Sequence, residues 1–95
     1  MSKKKSEGEG WRGFLEICAK IKTAEEYERF FQLFLTLEEK ETLSRRFLVV
    51  KALEEGKLTQ REIADKYHVS ISQITRGSNA LKIIDQNLRK FLKTM

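Results

Sequence analysis

Apolar residues recur along this chain at intervals of three and four, without the strict alternation of a strand, so the pattern predicts helices throughout. Trp11, Phe14, Leu15, Cys18 and Ile21 form a first stripe, with Arg12, Glu16, Lys20 and Lys22 off it. Tyr27, Phe30, Phe31, Phe34 and Leu35 form a second, heavily aromatic one. Leu43, Phe47, Val50 and Leu53 form a third, widened by Leu48 and Val49 and flanked by Arg45 and Arg46. Ile63, Ala64, Tyr67, Val69, Ile71 and Ile74 are grouped differently: they straddle two short segments and are expected to close a wedge between crossed helices. Ile83 and Ile84 continue the apolar side of the second segment, and Leu88, Phe91 and Leu92 are expected to pack back from a last short helix.

The polar positions predict where these helices begin and end. Thr23-x-x-Glu26, Thr36-x-x-Glu39, Thr59-x-x-Glu62 and Ser70-x-x-Gln73 are capping-box signatures, in which a hydroxyl meets an orphan N–H and the acid or amide reaches back. Asp85 can cap the last helix, and Gly56 supplies the left-handed residue that ends the third. The fold class expected is all-α, about six helices with short connections. Residues 1–10 (MSKKKSEGEG) hold no apolar residue after Met1 and are expected to be a disordered arm, with 11–95 a single domain. Lys3, Lys4 and Lys5 of that arm could touch phosphates, although a solubilising tail is the simpler reading. A chain of this length buries only about 60–65% of its unfolded surface, and obligate dimerisation would remedy so thin a core.

The stretch from about 59 to 82 has the pattern of a helix-turn-helix, whose second helix enters the DNA major groove. After Ser70 it presents Ser72, Gln73, Thr75, Arg76, Asn79 and Lys82, and no acidic residue lies between Asp65 and Asp85. His68 stands where such turns usually place glycine, so it is expected at positive φ. The charge supports this reading. Residues 1–56 hold 11 Lys+Arg and 11 Asp+Glu, whereas residues 57–95 hold 8 and 3, so the whole excess of +5 lies in the half with the motif.

Other chemistry is absent from the pattern. A lone His68 and a lone Cys18 build neither a nucleophile–base pair nor a zinc site, and the glycines form no phosphate loop. No enzyme activity and no metal are expected. No apolar run reaches the length of a membrane span, and an unpaired cysteine fits a reducing cytosol, so a cytoplasmic protein is expected.

Ile74-Thr75-Arg76-Gly77-Ser78-Asn79 with Leu81-Lys82, preceded by Gln60-Arg61-Glu62, resembles the recognition region of the bacterial Trp repressor family; the likeness extends over roughly Trp11 to Leu92. The resemblance implies an intertwined, all-helical homodimer that binds L-tryptophan as corepressor and, when liganded, the operator DNA of tryptophan genes. By alignment it implies that Arg46 and Arg76 sandwich the indole, with Gly77 beside it and Thr36 at the start of the central helix. Backbone carbonyls near Leu33 and Leu35 would receive the ammonium group, partly from the other subunit. It further implies DNA contacts at Gln60, Arg61, Ile71, Ser72, Gln73, Thr75, Arg76 and Lys82. Of these, Arg61 suits a guanine edge, Ile71 a thymine methyl and Lys82 a phosphate. The chain departs from familiar members at Ala80, where a serine hydroxyl helps hold the ligand's amino group, and at Leu37, where a proline is usual. Gln73 stands where relatives often carry a smaller residue. Two other readings are a ligand-independent helix-turn-helix regulator, favoured by Ala80, and a helical interaction module that uses the Phe30, Phe31 and Phe34 face.

Overall fold

The computed structural model describes residues 3–95, and the side chains of residues 5–95. The described residues form six helices and no strand: α1 Lys3–Cys18, α2 Ala24–Phe34, α3 Leu37–Glu55, α4 Gln60–Tyr67, α5 Ile71–Ile83 and α6 Gln86–Leu92. They gather into two compact units, one ending at Thr36 and the other Leu37–Met95. The boundary falls at the break between α2 and α3, because each side closes a side-chain cluster of its own.

In the first unit, α1 starts well before Trp11, at Lys3. Every described residue from Lys5 to Arg12 is exposed. Burial therefore does not hold this segment. Once Trp11 to Cys18 form a helix, each residue added towards the N-terminus gains a hydrogen bond without a new nucleus. Met1, Ser2 and the side chains of Lys3 and Lys4 lie outside the described residues. The unit is organised by Phe14, whose ring meets Trp11 at 5.9 Å, Phe30 at 5.5 Å and Phe34 at 5.5 Å. Ring pairs at such distances add about 0.5–1.5 kcal/mol each beyond their burial. The Tyr27 hydroxyl donates to the Cys18 carbonyl at 2.8 Å and so closes the end of α1 onto α2. Thr23 caps α2, accepting the Glu26 N–H at 3.1 Å. The Thr23 hydroxyl in turn donates to the Glu26 carboxylate at 3.2 Å.

In the second unit, α3, α4 and α5 pack around Val49, Ala52, Ile63, Ala64 and Ile74, with Leu53, Leu58, Tyr67 and Val69 against them. Two parts of the expected apolar pattern are corrected here. The buried line of α3 is Val49 and Ala52, whereas Leu43 and Phe47 stay about half exposed. Both short helices lie on the Val49 side, and the Leu43–Phe47 side has no partner in this unit. Ile71 is likewise outside the wedge at 49% exposure, because the buried stripe of α5 runs from Ile74 to Leu81 and stops short of its first turn. Ile83, Leu88 and Phe91 are also exposed, at 85%, 44% and 67%, in place of packing back.

The helix ends predicted at Thr23, Gly56, Thr59, His68, Ser70 and Asp85 are observed. Gly56 takes φ 68° after α3 and His68 takes φ 54° after α4. Left-handed backbone costs an ordinary residue roughly 1–2 kcal/mol. At His68 it lets the N–H of both His68 and Val69 reach the Ala64 carbonyl, which turns the chain within three residues into α5. Both helices of the motif begin on reciprocal capping boxes, Thr59 with Glu62 and Ser70 with Gln73. Asp85 caps α6 through the Leu88 N–H at 2.8 Å. Arg89 then ties α6 down: it donates to the Leu81 carbonyl at 2.7 Å and lies 3.7 Å from Glu54 Oε2, a buried oxygen with no hydrogen-bond partner.

Two predictions follow from these ties. Arg89→Met leaves the Glu54 carboxylate and the Leu81 carbonyl without a cation or donor, and is expected to lower stability by about 1–3 kcal/mol in urea unfolding. At Glu62, the Thr59 N–H bond at 2.9 Å, aided by the Thr59 hydroxyl, holds the carboxyl below its ordinary value of 4.5. A carboxyl depressed by folding stabilises the fold above its unfolded value, and that contribution disappears as the pH drops through the folded one. Acidification from about pH 6 to about pH 3 is thus expected to lower the thermal midpoint of the wild type more than that of Glu62→Gln, as followed by circular dichroism.

Candidate functional site

A cavity of about 290 Å³ opens between α3 and α5. This is close to the lower end of the range for small-ligand sites, about 300–1,000 Å³. Its walls follow from helix geometry. Thr42, Arg45, Arg46 and Val49 come from α3, and Gln73, Arg76, Gly77 and Ala80 from α5. Each set has the spacing i, i+3, i+4, i+7, which is one face of one helix. Val50 and Val69 complete the lining. Three guanidinium groups and an apolar wall thus surround the space, and no acidic residue lines it. Such a set suits a flat aromatic body, on which guanidinium planes stack, joined to an anionic group that they pair.

Of the residues singled out from the sequence, the fold brings Arg46, Arg76, Gly77 and Ala80 to this one cavity, together with Gln73. Thr42, Arg45, Val49, Val50 and Val69 were not singled out for it. The signal for most of them lay in the spacing: the residues one turn either side of Arg46 share its face of α3. Gly77 has a packing reason besides its place in the lining. A Cβ there would meet Leu53 Cδ1 at 3.4 Å and Val49 Cγ1 at 3.6 Å, so the glycine faces α3 where the two helices approach. Leu33, Leu35 and Thr36 belong to the first unit. Leu33 is in the last turn of α2 and Leu35 is its C-cap. Helix carbonyls at such an end lack intrahelical donors and lie at the negative pole of the helix, which suits a cation.

The outward side of the motif is cationic and polar. Gln60 and Arg61 are exposed in the first turn of α4. Ile71, Ser72, Gln73, Thr75, Arg76 and Lys82 are exposed along α5, which carries no acidic residue. The one carboxylate in the first turn of α4, Glu62, is turned back onto the Thr59 N–H. Two of the polar side chains are already engaged. Ser72 Oγ lies 3.0 Å from Ser70 Oγ, and Gln73 Oε1 accepts the Ser70 N–H at 3.4 Å. Arg76 both lines the cavity and is exposed, so the cavity lies directly behind the helix that would face DNA.

Residues 9–95 match the family model described as Trp repressor protein. The chain is 60% identical over 86 residues to a Trp operon repressor homolog of Chlamydia caviae, covering 90% of this chain and 85% of the relative. It is 48% identical over 90 residues to one of Chlamydia trachomatis, covering 95% and 96%. A homolog of the same description in Vibrio campbellii is 32% identical over 85 residues, covering 90% of this chain and 85% of the relative.

The contacts at Gly77 generate a stability test. Gly77→Ala places its methyl at ordinary contact distance and improves helix propensity, so it is expected to leave stability unchanged or raise it by up to about 1 kcal/mol. Gly77→Leu forces α3 and α5 apart and is expected to lower stability by about 1–3 kcal/mol. Urea midpoints of the two variants check both signs.

Proposed function

Because this chain belongs to the Trp repressor family, whose members are transcription regulators and not enzymes, we propose that it represses tryptophan genes by binding their operator as a homodimer with L-tryptophan as corepressor. The observation that carries the corepressor reading is the cavity with Arg46 and Arg76 in its walls, immediately behind the exposed face of α5. In this reading the indole lies between these two guanidinium groups, with the ligand's amino-acid end towards Ala80. Its ammonium group meets carbonyls near Leu33 and Leu35, beside Thr36, with a second copy contributing. Gln60 and Arg61 from α4, and Ile71, Ser72, Gln73, Thr75 and Arg76 from α5, approach the operator, and Lys82 meets phosphate. Leu33, Phe34, Leu37 and Phe47 are 78%, 52%, 72% and 51% exposed in a single chain, which supports a second copy as their cover.

The ligand acts by geometry. Reading heads of helix-turn-helix dimers, those of this family among them, meet successive major grooves about 34–36 Å apart. An occupant between α3 and α5 sets the tilt of α5 on the rest of the second unit, and so the spacing of the two heads. The coupling is reciprocal: operator DNA tightens tryptophan binding by the factor with which tryptophan tightens operator binding.

Ala80 favours one other reading, a regulator that binds operator without a ligand, since no hydroxyl stands there to hold the amino group. Fluorescence anisotropy of an operator duplex with and without L-tryptophan, at fixed salt, separates the two. The expected result is an increase in affinity of about 5–150-fold, the usual span of such coupling. Arg76→Leu is expected to abolish that increase while the protein stays folded and dimeric. Operator affinity indifferent to tryptophan would leave the ligand-independent reading standing. In the same assay, binding through about 6–10 phosphates loses roughly 10³–10⁵ in affinity between 50 and 200 mM salt. A protein-interaction module would show no such dependence.

A further inference from the structure

Gln73 belongs to two structures at once. Its side chain lines the cavity between α3 and α5. The same side chain closes the cap of α5: Oε1 accepts the Ser70 N–H at 3.4 Å, and the Gln73 N–H donates to Ser70 Oγ at 3.3 Å. The direction of that bond is set by chemistry, because only the carboxamide oxygen can accept from an N–H. A glutamine free in solvent would sweep through many rotamers. This one is engaged at its far end by an exposed bond to the helix start, which favours one rotamer beside the cavity. An adenine contact by glutamine uses both oxygen and nitrogen, and the oxygen here is already engaged.

Its place along α5 decides which part of a ligand it meets. Gln73 and Ala80 are seven residues apart on the same face of α5, about 10 Å at 1.5 Å per residue. The cavity is thus bounded along α5 by a small side chain at one end and a long, anchored one at the other. In the reading above, the amino-acid end of tryptophan lies towards Ala80, which directs the indole towards Gln73.

We propose that Gln73, anchored by the Ser70 cap, is the specificity-determining wall that limits the size of the aromatic ring the cavity accepts. It excludes tryptophans substituted on the benzene edge of the indole. This inference rests on the cavity being the tryptophan site, and its test distinguishes the two. Calorimetry without DNA would compare L-tryptophan with a panel of ring-methylated tryptophans on wild type, Gln73→Ala and Gln73→Glu. Glutamate keeps both the length of the side chain and an acceptor for the Ser70 N–H, whereas alanine removes both.

Wild type is expected to prefer L-tryptophan to at least one methylated analogue by about tenfold or more, the scale of one misfitting methyl group in a pocket. Gln73→Ala is expected to reduce that preference to within about threefold, and Gln73→Glu to retain it, though the added charge weakens or strengthens all ligands together. Preservation of the preference in Gln73→Ala would overturn the proposal while leaving the tryptophan site intact. So would equal binding of every analogue by wild type, or loss of the preference in both variants. Failure of wild type to bind L-tryptophan at all would overturn the ligand reading and this inference with it.

Discussion

The approach of α5 to α3 is the contact on which the rest of this molecule depends. Ile74 and Val49 are buried at that contact, and Gly77 sits against Leu53 and Val49 without a side chain of its own. The same two helix faces separate enough to leave a cavity lined by arginines from both. Core and cavity therefore share their walls: Val49 and Val69 belong to each. Anything that enters the cavity bears on the packing that orients α5. A thin core is normally a weakness in a chain of this size. Here it places the helix that would face DNA within reach of a small ligand.

The polar side chains around the motif divide their work in a way that composition does not reveal. Glu62 and Gln73 are both exposed polar side chains, yet each is turned back to a helix start. Withdrawing the Glu62 carboxylate onto the Thr59 N–H draws one negative charge back from the residue next to Arg61. Anchoring Gln73 gives α5 a defined first turn, which is the turn that carries Ile71 and Ser72. The left-handed His68 contributes to the same end, since it delivers the chain from α4 to Ser70 in the fewest residues. The reading surface is thus shaped by its caps as much as by its cations.

Much apolar surface is left open by one chain. Trp11 and Phe34 in the first unit, and Leu37 and Phe47 in the second, are each more than half exposed, and among the described residues no helix is long and apolar enough to cross a membrane. Complete burial of a large apolar side chain is worth about 1.5–3 kcal/mol, so at this exposure each leaves roughly 1–2 kcal/mol unrealised. A second copy of the chain, as proposed, would recover it. The tie from Arg89 to the end of α5 and to Glu54 holds α6 without burying it, which explains how Phe91 remains exposed on an otherwise anchored helix.

By itself the sequence determined the helical class, the helix ends at Thr23, Gly56, Thr59, His68, Ser70 and Asp85, and the cationic helix-turn-helix. These depend on neighbours within one turn, where periodicity and capping chemistry act directly. It also contained the family likeness, which comparison over residues 9–95 bears out. Tertiary structure alone decided which of two possible apolar faces of α3 is buried, since Leu43 and Phe47 are the larger apolar side chains and yet Val49 and Ala52 are covered, by α4 and α5. It decided that residues 3–10 extend α1, because that follows from a helix already nucleated beyond them and not from their own burial. It also gave Arg45 and Gln73 their place in the cavity, for a cavity is the space between two helix faces, and its lining depends on how far apart packing holds them.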